Sequence, residues 1–538
     1  MVKLAVNSDA AAPRSAGPQP VSLPRIFVNV AAYRDSECRP TLIDLFAKAR
    51  HPERIVVGVC WQHIPGEDDA LSPADIHPEQ CRIVAIDARD SRGVCWARAK
   101  VQELWRGEEY TLQIDSHMRF VQDWDDTLLT MLANCPSDRP VLSSYPPAYT
   151  PPDVLGDPNI SVMFAREFGE DGVVSLHSRG ISEKDAPTVP EANPFCAGGM
   201  LFARAEVIRD VPYDPHLYFL GEEITLSARL WTGGWDIFSP NRVVLYHDYT
   251  NRPGRRRHWN DHDTWGQMNR LAVMRIRQLF QMEEVDDADA LREIDRYGLG
   301  HQRTLADYQA FSGIDFRGRR IGGKTQEEIE AEQPPAERRK RNTEAFSRIH
   351  RDNVWGATET RCGDGATLER TGAIRAELPR LFDFLGVRIL ADAGCGDLNW
   401  VAHISGGLRF YFGYDIVEAV IDDARRRVAD RRNHFLSVAD ISLDILPEAD
   451  AILCRDVLTH LPHWMVRETL RRFKESGSRY LIATTHQRGI NDPIRIGGWQ
   501  AIDLTAAPFN LPPPRLTVHE ALPNSTKSLG VWHLADLP

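Results

Sequence analysis

Two stretches of this chain put chemically capable side chains at the ends of apolar runs. In Tyr110-Thr-Leu-Gln-Ile-Asp115-Ser-His117 a carboxylate and an imidazole follow an apolar segment at positions i and i+2. In extended backbone those positions face one side, so Asp115 and His117 can share one cation. A carboxylate with an imidazole suits a borderline divalent ion such as Mn²⁺, leaving positions open for phosphate oxygens. Such an ion can neutralise the charge that develops on a departing nucleoside diphosphate. His247, at the end of Val243-Val-Leu-Tyr-His247, is the best candidate for a third ligand. The second stretch is Val387-Arg-Ile-Leu-Ala-Asp392-Ala-Gly394-Cys-Gly396, a strand running into a glycine-rich turn. Its glycines let backbone pass close to a ligand, the turn offers free N–H groups, and Asp392, Gly394 and Gly396 are candidate cofactor contacts. Asp415 follows 23 residues after Asp392, at the tip of the next run, where an acid can hold ribose hydroxyls. Asp440 ends the third run and is placed to contact a nucleobase.

The elements that would carry these groups alternate in type. In the first half, strands are expected at Ile26–Ala32, Arg54–Trp61, Arg82–Ile86, Tyr110–Ile114, Gly199–Ala203 and Arg242–Tyr246, with a helix over Leu42–Ala49. In the second half, they are expected at Val387–Ala391, Phe410–Tyr414, His434–Val438, Ala451–Cys454 and Tyr480–Thr484. This alternation predicts an α/β chain with largely parallel sheets. Residues 1–24, rich in Ala, Pro and Ser, read as a flexible tail. A polar, Gly- and Pro-bearing stretch marks a linker over 323–344, separating domains at 25–322 and 345–538. With 538 residues and 42% hydrophobic content, two cores can be buried.

Composition narrows the partners. A net charge of −12 disfavours nucleic acid. The nine cysteines are scattered with no C-x-x-C pair, which fits free thiols in a reducing compartment. No apolar run is long enough to form a transmembrane segment, and the N-terminus does not read as a signal peptide. The expectation is a soluble, cytoplasmic protein.

From Arg25 to Ile321 the chain resembles the cytoplasmic polypeptide GlcNAc-transferases that modify hydroxyproline, relatives of the mucin-type GalNAc-transferases. The likeness rests on several motifs in one order. They are Ile26-Phe-Val-Asn-Val-Ala-Ala-Tyr-Arg-Asp35, Pro52 to Trp61, Gly93-Val-Cys-Trp-Ala-Arg98, Asp115-Ser-His117-Met-Arg-Phe120, Phe195-Cys-Ala-Gly-Gly-Met200, Phe219-Leu-Gly-Glu-Glu223, Trp231 to Trp235 and Tyr297 to Thr304. The resemblance implies a GT-A fold, a UDP-sugar donor such as UDP-GlcNAc, a divalent cation, and retention of anomeric configuration. It also implies roles. Ala31, Tyr33 and Arg34 would meet the nucleotide, at the strand ends where doubly wound sheets place one. Arg98 would contact the diphosphate. Gly198 and Gly199 would let backbone approach the donor sugar. Glu222 or Glu223, at a helix start, would bind sugar or acceptor hydroxyls.

From about Phe346 to Pro538 the order of strand-tip residues resembles class I S-adenosylmethionine-dependent methyltransferases, a Rossmann-like fold. A nicotinamide-binding domain would want a third glycine where Asn399 stands. After the fourth run, His460 is a candidate general base, with Asp456 and His486 equally open. Together the halves imply a bifunctional transferase. It would add an N-acetylhexosamine to a protein or glycan acceptor and methylate the product. Two rivals are an enzyme of capsule or surface polysaccharide with a saccharide acceptor, and a scaffold with dead sites. The presence of Asp115, His117, Gly394 and Gly396 argues against the scaffold.

Overall fold

The computed structural model describes residues 23–169, 171–250, 255–520 and 525–538. Nearly all of the N-terminal tail expected from the sequence lies outside them. The chain divides into two compact units, one reaching to Gln326 and the other running from Glu327 to Pro538.

The first unit is built on strands β1 (Ile26–Tyr33), β2 (Ile55–His63), β3 (Cys81–Asp87), β4 (Tyr110–Asp115), β5 (Met118–Phe120) and β6 (Pro140–Ser143). It continues with β7 (Asn159–Phe168), β8 (Val174–Ser182), β9 (Glu191–Ala192), β10 (Met200–Arg204), β11 (Asp236–Ser239) and β12 (Leu245–His247). Eight of these form one sheet in the order β9-β11-β6-β10-β4-β1-β2-β3. Strand alternation divides the core. Ile26, Val28 and Val30 pack with Leu42 and Leu45 of helix α1 (Cys38–Lys48) and Leu128 of α3 (Trp124–Ala133). On the other face, Phe27, Val56 and Cys60 pack with Cys95 and Val101 of α2 (Val94–Gln102). Burial on both faces explains why β1 and β2 read as unbroken apolar runs.

β1, β2, β3 and β4 are parallel, and Ala31 stands level with both Cys60 and Asp115. The sheet is less parallel than expected, because β10 returns antiparallel between β4 and β6. That reversal sets the Gly198-Gly199 turn beside Asp115. The strand expected over Arg242–Tyr246 is the shorter β12, which pairs antiparallel with β5, His247 opposite Met118. The sequence reading did not include β6, β11 or the β7–β8 hairpin. Much of that hairpin is half-exposed, so its apolar pattern is diluted.

The second unit holds β13 (Ile389–Ala393), β14 (Phe410–Asp415), β15 (His434–Val438), β16 (Ala451–Cys454), β17 (Tyr480–Thr485), β18 (Leu516–His519) and β19 (Ser528–His533). Their order is β15-β14-β13-β16-β17-β19-β18, parallel across the first five and antiparallel at β19 and β18. This is a Rossmann-like sheet whose strand order reverses beside β13, where doubly wound folds bind ligands.

The stretch read as a linker, its charged part as a solvated helix, is largely helical. Residues Gln326–Glu332 form one helix, and α5 (Pro335–Arg351) a second. Arg338 and Arg341 lie over the Trp464 ring, Arg339 pairs with Asp444, and buried Asn342 donates to Asp440 at 2.8 Å. Cation–π and charge-assisted contacts thus hold a stretch whose composition resembles a solvated connector.

Candidate functional site

In the first unit, β4 ends at Asp115, a turn through Ser116 and His117 leads into β5, and the partner strand β12 ends at His247. One ligand atom from each of Asp115, His117 and His247 lies within 4.8 Å of the others, a grouping found nowhere else among the described residues. His117 Nε2 lies 3.0 Å from His247 Nε2, which is 3.1 Å from Asp115 Oδ2. Two imidazole nitrogens facing each other beside a carboxylate fit a divalent cation, so the donor set suits the ion expected there.

Each ligand is braced from behind. His117 Nδ1 donates to Asp35 Oδ2 at 2.7 Å, which fixes the tautomer and leaves Nε2 as the lone-pair nitrogen. Ser116 Oγ donates to the same oxygen at 2.6 Å. Arg98 Nη2 donates to Asp115 Oδ1 at 2.6 Å. Burial works against ionisation of Asp115, but the hydrogen bond from His247 and the charge of Arg98 hold it well below the usual carboxylate range. Burial pushes His247 down, toward the neutral form a ligand needs. Arg255 Nη2 donates to His117 Nε2 at 2.7 Å, so an ion engaging that nitrogen must displace it.

Behind this cluster lies helix α4 (Glu222–Thr232). Glu222 accepts from Arg98 Nη1 at 2.7 Å and from Tyr213 Oη at 2.5 Å. Burial pushes its carboxyl up, against the pull of Arg98. Glu223 is half-buried. It accepts from the Gly198 amide at 2.8 Å and from the Tyr145 hydroxyl. Burial raises it to about 7, against those two hydrogen bonds.

In the second unit, the turn after β13 has left-handed backbone at Gly394 (φ +85°) and Gly396 (φ +59°). A Cβ at Gly394 would stand 2.2 Å from Val457 Cγ2, so sterics and backbone both demand glycine there. Asp415 accepts from the Gly396 amide at 3.2 Å and the Val417 amide at 3.0 Å. Asp440 accepts from Ser442 and Asn342. These groups line a cavity of about 730 Å³, together with Trp355, Asp456, His460, His486, Trp499 and Lys527. His460 Nδ1 donates to Gly498 O at 2.6 Å, leaving Nε2 as the lone-pair nitrogen, and the ring stacks on Trp355 at 4.6 Å. Burial keeps His460 below its ordinary range.

A family model described as Glycosyltransferase (GlcNAc) matches residues 25–89 and 75–318, more than half of the chain. The chain belongs to that glycosyltransferase family. GalNAc-T7, solved with UDP, GalNAc and Mn²⁺, is 15% identical at a TM-score of 0.38, over 54% of this chain and 57% of its own. Magnesium protoporphyrin IX methyltransferase from Synechocystis PCC 6803, solved with SAM, is 17% identical at a TM-score of 0.26, over 36% of this chain and 95% of its own. The methyltransferase domain of bacterial CtHen1-C is 15% identical at a TM-score of 0.20, over 22% of this chain and 66% of its own. No curated protein sequence matches.

Several residues of this glycosyltransferase stand differently from their expected places. Arg98, expected at the diphosphate, is enclosed by protein side chains. It is 2% exposed and its guanidinium is shared among Asp115, Glu222 and Tyr213, so it positions Asp115. Glu222 is locked in the same network, which leaves Glu223 as the more accessible acid of the pair. Gly198 and Gly199 make room for protein side chains: a Cβ at Gly199 would stand 2.8 Å from Asp115 Oδ2, and one at Gly198 2.9 Å from Arg98 Nη1. Arg34 is held by Glu67, Asp68 and Asp261, with its side chain 4% exposed. Tyr33 donates to Asp261 at 3.0 Å. Asp392 does not line the cavity. It lies buried under the turn and accepts from Tyr411 Oη at 2.6 Å. The sequence reading missed Asp35, Tyr145, Tyr213 and Arg255 as members of the site. Asp35 closes the first family motif, which is the one signal that could have marked it.

In the described residues, no helix is long and apolar enough to cross a membrane. All nine cysteines are free.

Proposed function

We propose that the first unit transfers N-acetylglucosamine, or a related N-acetylhexosamine, from its UDP-sugar to a hydroxyl of a protein or glycan. The convergence of Asp115, His117 and His247 within 4.8 Å carries this reading. A divalent ion such as Mn²⁺ held by these residues would supply Lewis acidity toward the departing diphosphate. The chain's own work is orientation. Asp35 holds the His117 ring, and Arg98 keeps Asp115 ionised and fixed. Glu223, aligned by Tyr145 and the Gly198 amide, presents a carboxyl to sugar or acceptor hydroxyls. The soluble cytoplasmic setting expected from composition belongs to the same reading.

The second unit is, in this proposal, an S-adenosylmethionine-dependent methyltransferase acting on oxygen of the glycan. Asp415 and Asp440 stand at the tips of consecutive strands, around a cavity large enough for a nucleoside. Tethering raises the concentration of one site's product at the other.

The deciding experiment incubates acceptor with UDP-GlcNAc alone, with S-adenosylmethionine alone, and with both. Sugar transfer that stops in excess chelator and returns with Mn²⁺ is expected. Full transfer in chelator would sink the metal assignment. Methyl incorporation that is unchanged without sugar donor would refute sequential action.

A further inference from the structure

The outer part of the second unit's cavity differs from its glycine-lined inner part. Trp499 lines it while 65% exposed, an unusual cost for the largest side chain unless something covers it. The segment carrying Trp499 is tied to the candidate base. His460 Nδ1 donates to Gly498 O at 2.6 Å, the Gly497 amide donates to His460 O at 2.9 Å, and the Gln500 amide donates to Thr459 O at 3.0 Å. Trp355 stacks on the His460 ring from the other chain direction. Two indoles and the His460 imidazole therefore line one cavity, Trp355 stacked on the His460 ring and Trp499 carried by the backbone bonded to it.

Polar groups line the same space. Asp456 has left-handed backbone (φ +56°), strained for a non-glycine residue and typical of functional positions. Its carboxylate accepts from Lys527 Nζ at 2.5 Å and lies 3.2 Å from Arg455. Arg455 is itself clamped by Glu520 through two bonds, at 3.0 and 2.7 Å. Burial would raise Asp456, but Arg455 and Lys527 hold it at about 2. It is thus an anion that only accepts hydrogen bonds, beside an ammonium that only donates.

We propose that this outer space is a saccharide subsite. Trp499 and Trp355 receive the C–H face of a pyranose, Asp456 and Lys527 its hydroxyls, and His460 Nε2 the proton of the hydroxyl that is methylated. The inference rests on reading the second unit as a methyltransferase. A pyranose is apolar on its face and hydroxylated around its rim, which matches an aromatic wall beside a charged one. A flat aromatic acceptor would satisfy the indoles but leave the Asp456–Lys527 pair desolvated without new partners. In the step itself, a lone pair of the hydroxyl oxygen forms the new O–C bond as the donor's S–C bond breaks. The sulfonium becomes a thioether, and the hydroxyl proton passes to His460 Nε2 and then to water.

The test uses the full chain. Calorimetry with S-adenosylhomocysteine first reports the donor site. Methyl incorporation from S-adenosylmethionine is then measured on chitobiose and cellobiose, against catechol and an unstructured peptide. The expected result is alkali-stable methylation of a disaccharide. Trp499→Ala should raise the saccharide KM roughly tenfold with kcat and S-adenosylhomocysteine affinity held, and Trp499→Phe should recover most of the loss. His460→Ala should lower kcat roughly a hundredfold and remove the acid limb of the pH profile. Binding of S-adenosylhomocysteine with methylation of catechol or peptide alone, or of none of the four, would overturn the saccharide subsite and leave the methyltransferase reading standing. So would an unchanged KM in Trp499→Ala. Absence of S-adenosylhomocysteine binding would remove both.

Discussion

On the proposed reading, the two units solve opposite recognition problems at strand ends. In the first, three ligand atoms are brought within 4.8 Å, and the specification lies behind them, in Asp35, Arg98 and Glu222. In the second, a cavity of about 730 Å³ is left open, and the specification lies in backbone, with Gly394 and Gly396 held at positive φ. A cation is small and binds through charge, so its site must fix a few side chains against their mutual repulsion. A nucleoside is large and binds through shape, so its site must keep atoms out of the way.

If this contrast is right, the sites should break independently and by different substitutions. Asp115→Ala should lower sugar transfer roughly a thousandfold or more, since metal-assisted stabilisation supplies several kcal/mol. Affinity for S-adenosylhomocysteine in calorimetry should not change. A parallel loss in both would erase the distinction. Gly394→Ala is the converse. Strained backbone and the clash with Val457 should weaken S-adenosylhomocysteine roughly a hundredfold, with UDP-sugar hydrolysis intact. Asp35→Asn keeps the shape of the bracing residue and removes its charge. Mn²⁺ affinity, read by titration calorimetry, should fall roughly tenfold to a hundredfold.

The smallest effect concerns a feature the two units share. Burial raises both Glu223 and Asp392 to about 7. A carboxyl raised in the folded state binds its proton more tightly there than when unfolded. Its contribution to stability is complete below the ordinary carboxylate range and is lost as pH rises toward and through about 7. Glu223→Gln and Asp392→Asn should each flatten the fall in Tm between pH 5 and 8, by roughly a few degrees. Asp392→Asn should do so without changing metal affinity.

Much of this is legible in the sequence. Unbroken β-branched runs such as Ile26–Val30 can bury only as central strands, so the α/β class followed from local pattern. Asp115 and His117 share a strand end, and Gly394, Asp415 and Asp440 recur at the tips of successive strands. Those placements depend on short-range spacing, which sequence carries directly.

What the sequence could not decide was which side chains meet across long separations. Arg98 reads as a diphosphate contact, yet it is buried between Asp115 at a strand end and Glu222 on a helix much further along the chain. Asp392 reads as a ligand contact and is instead turned under the loop toward Tyr411. The stretch from Glu327 to Asn342 reads as solvated linker, yet it belongs to the second unit, where Arg338, Arg341 and Asn342 find Trp464 and Asp440. In each case the outcome turns on desolvation. A buried charge or amide must find a partner, and only the tertiary fold determines which partners are within reach.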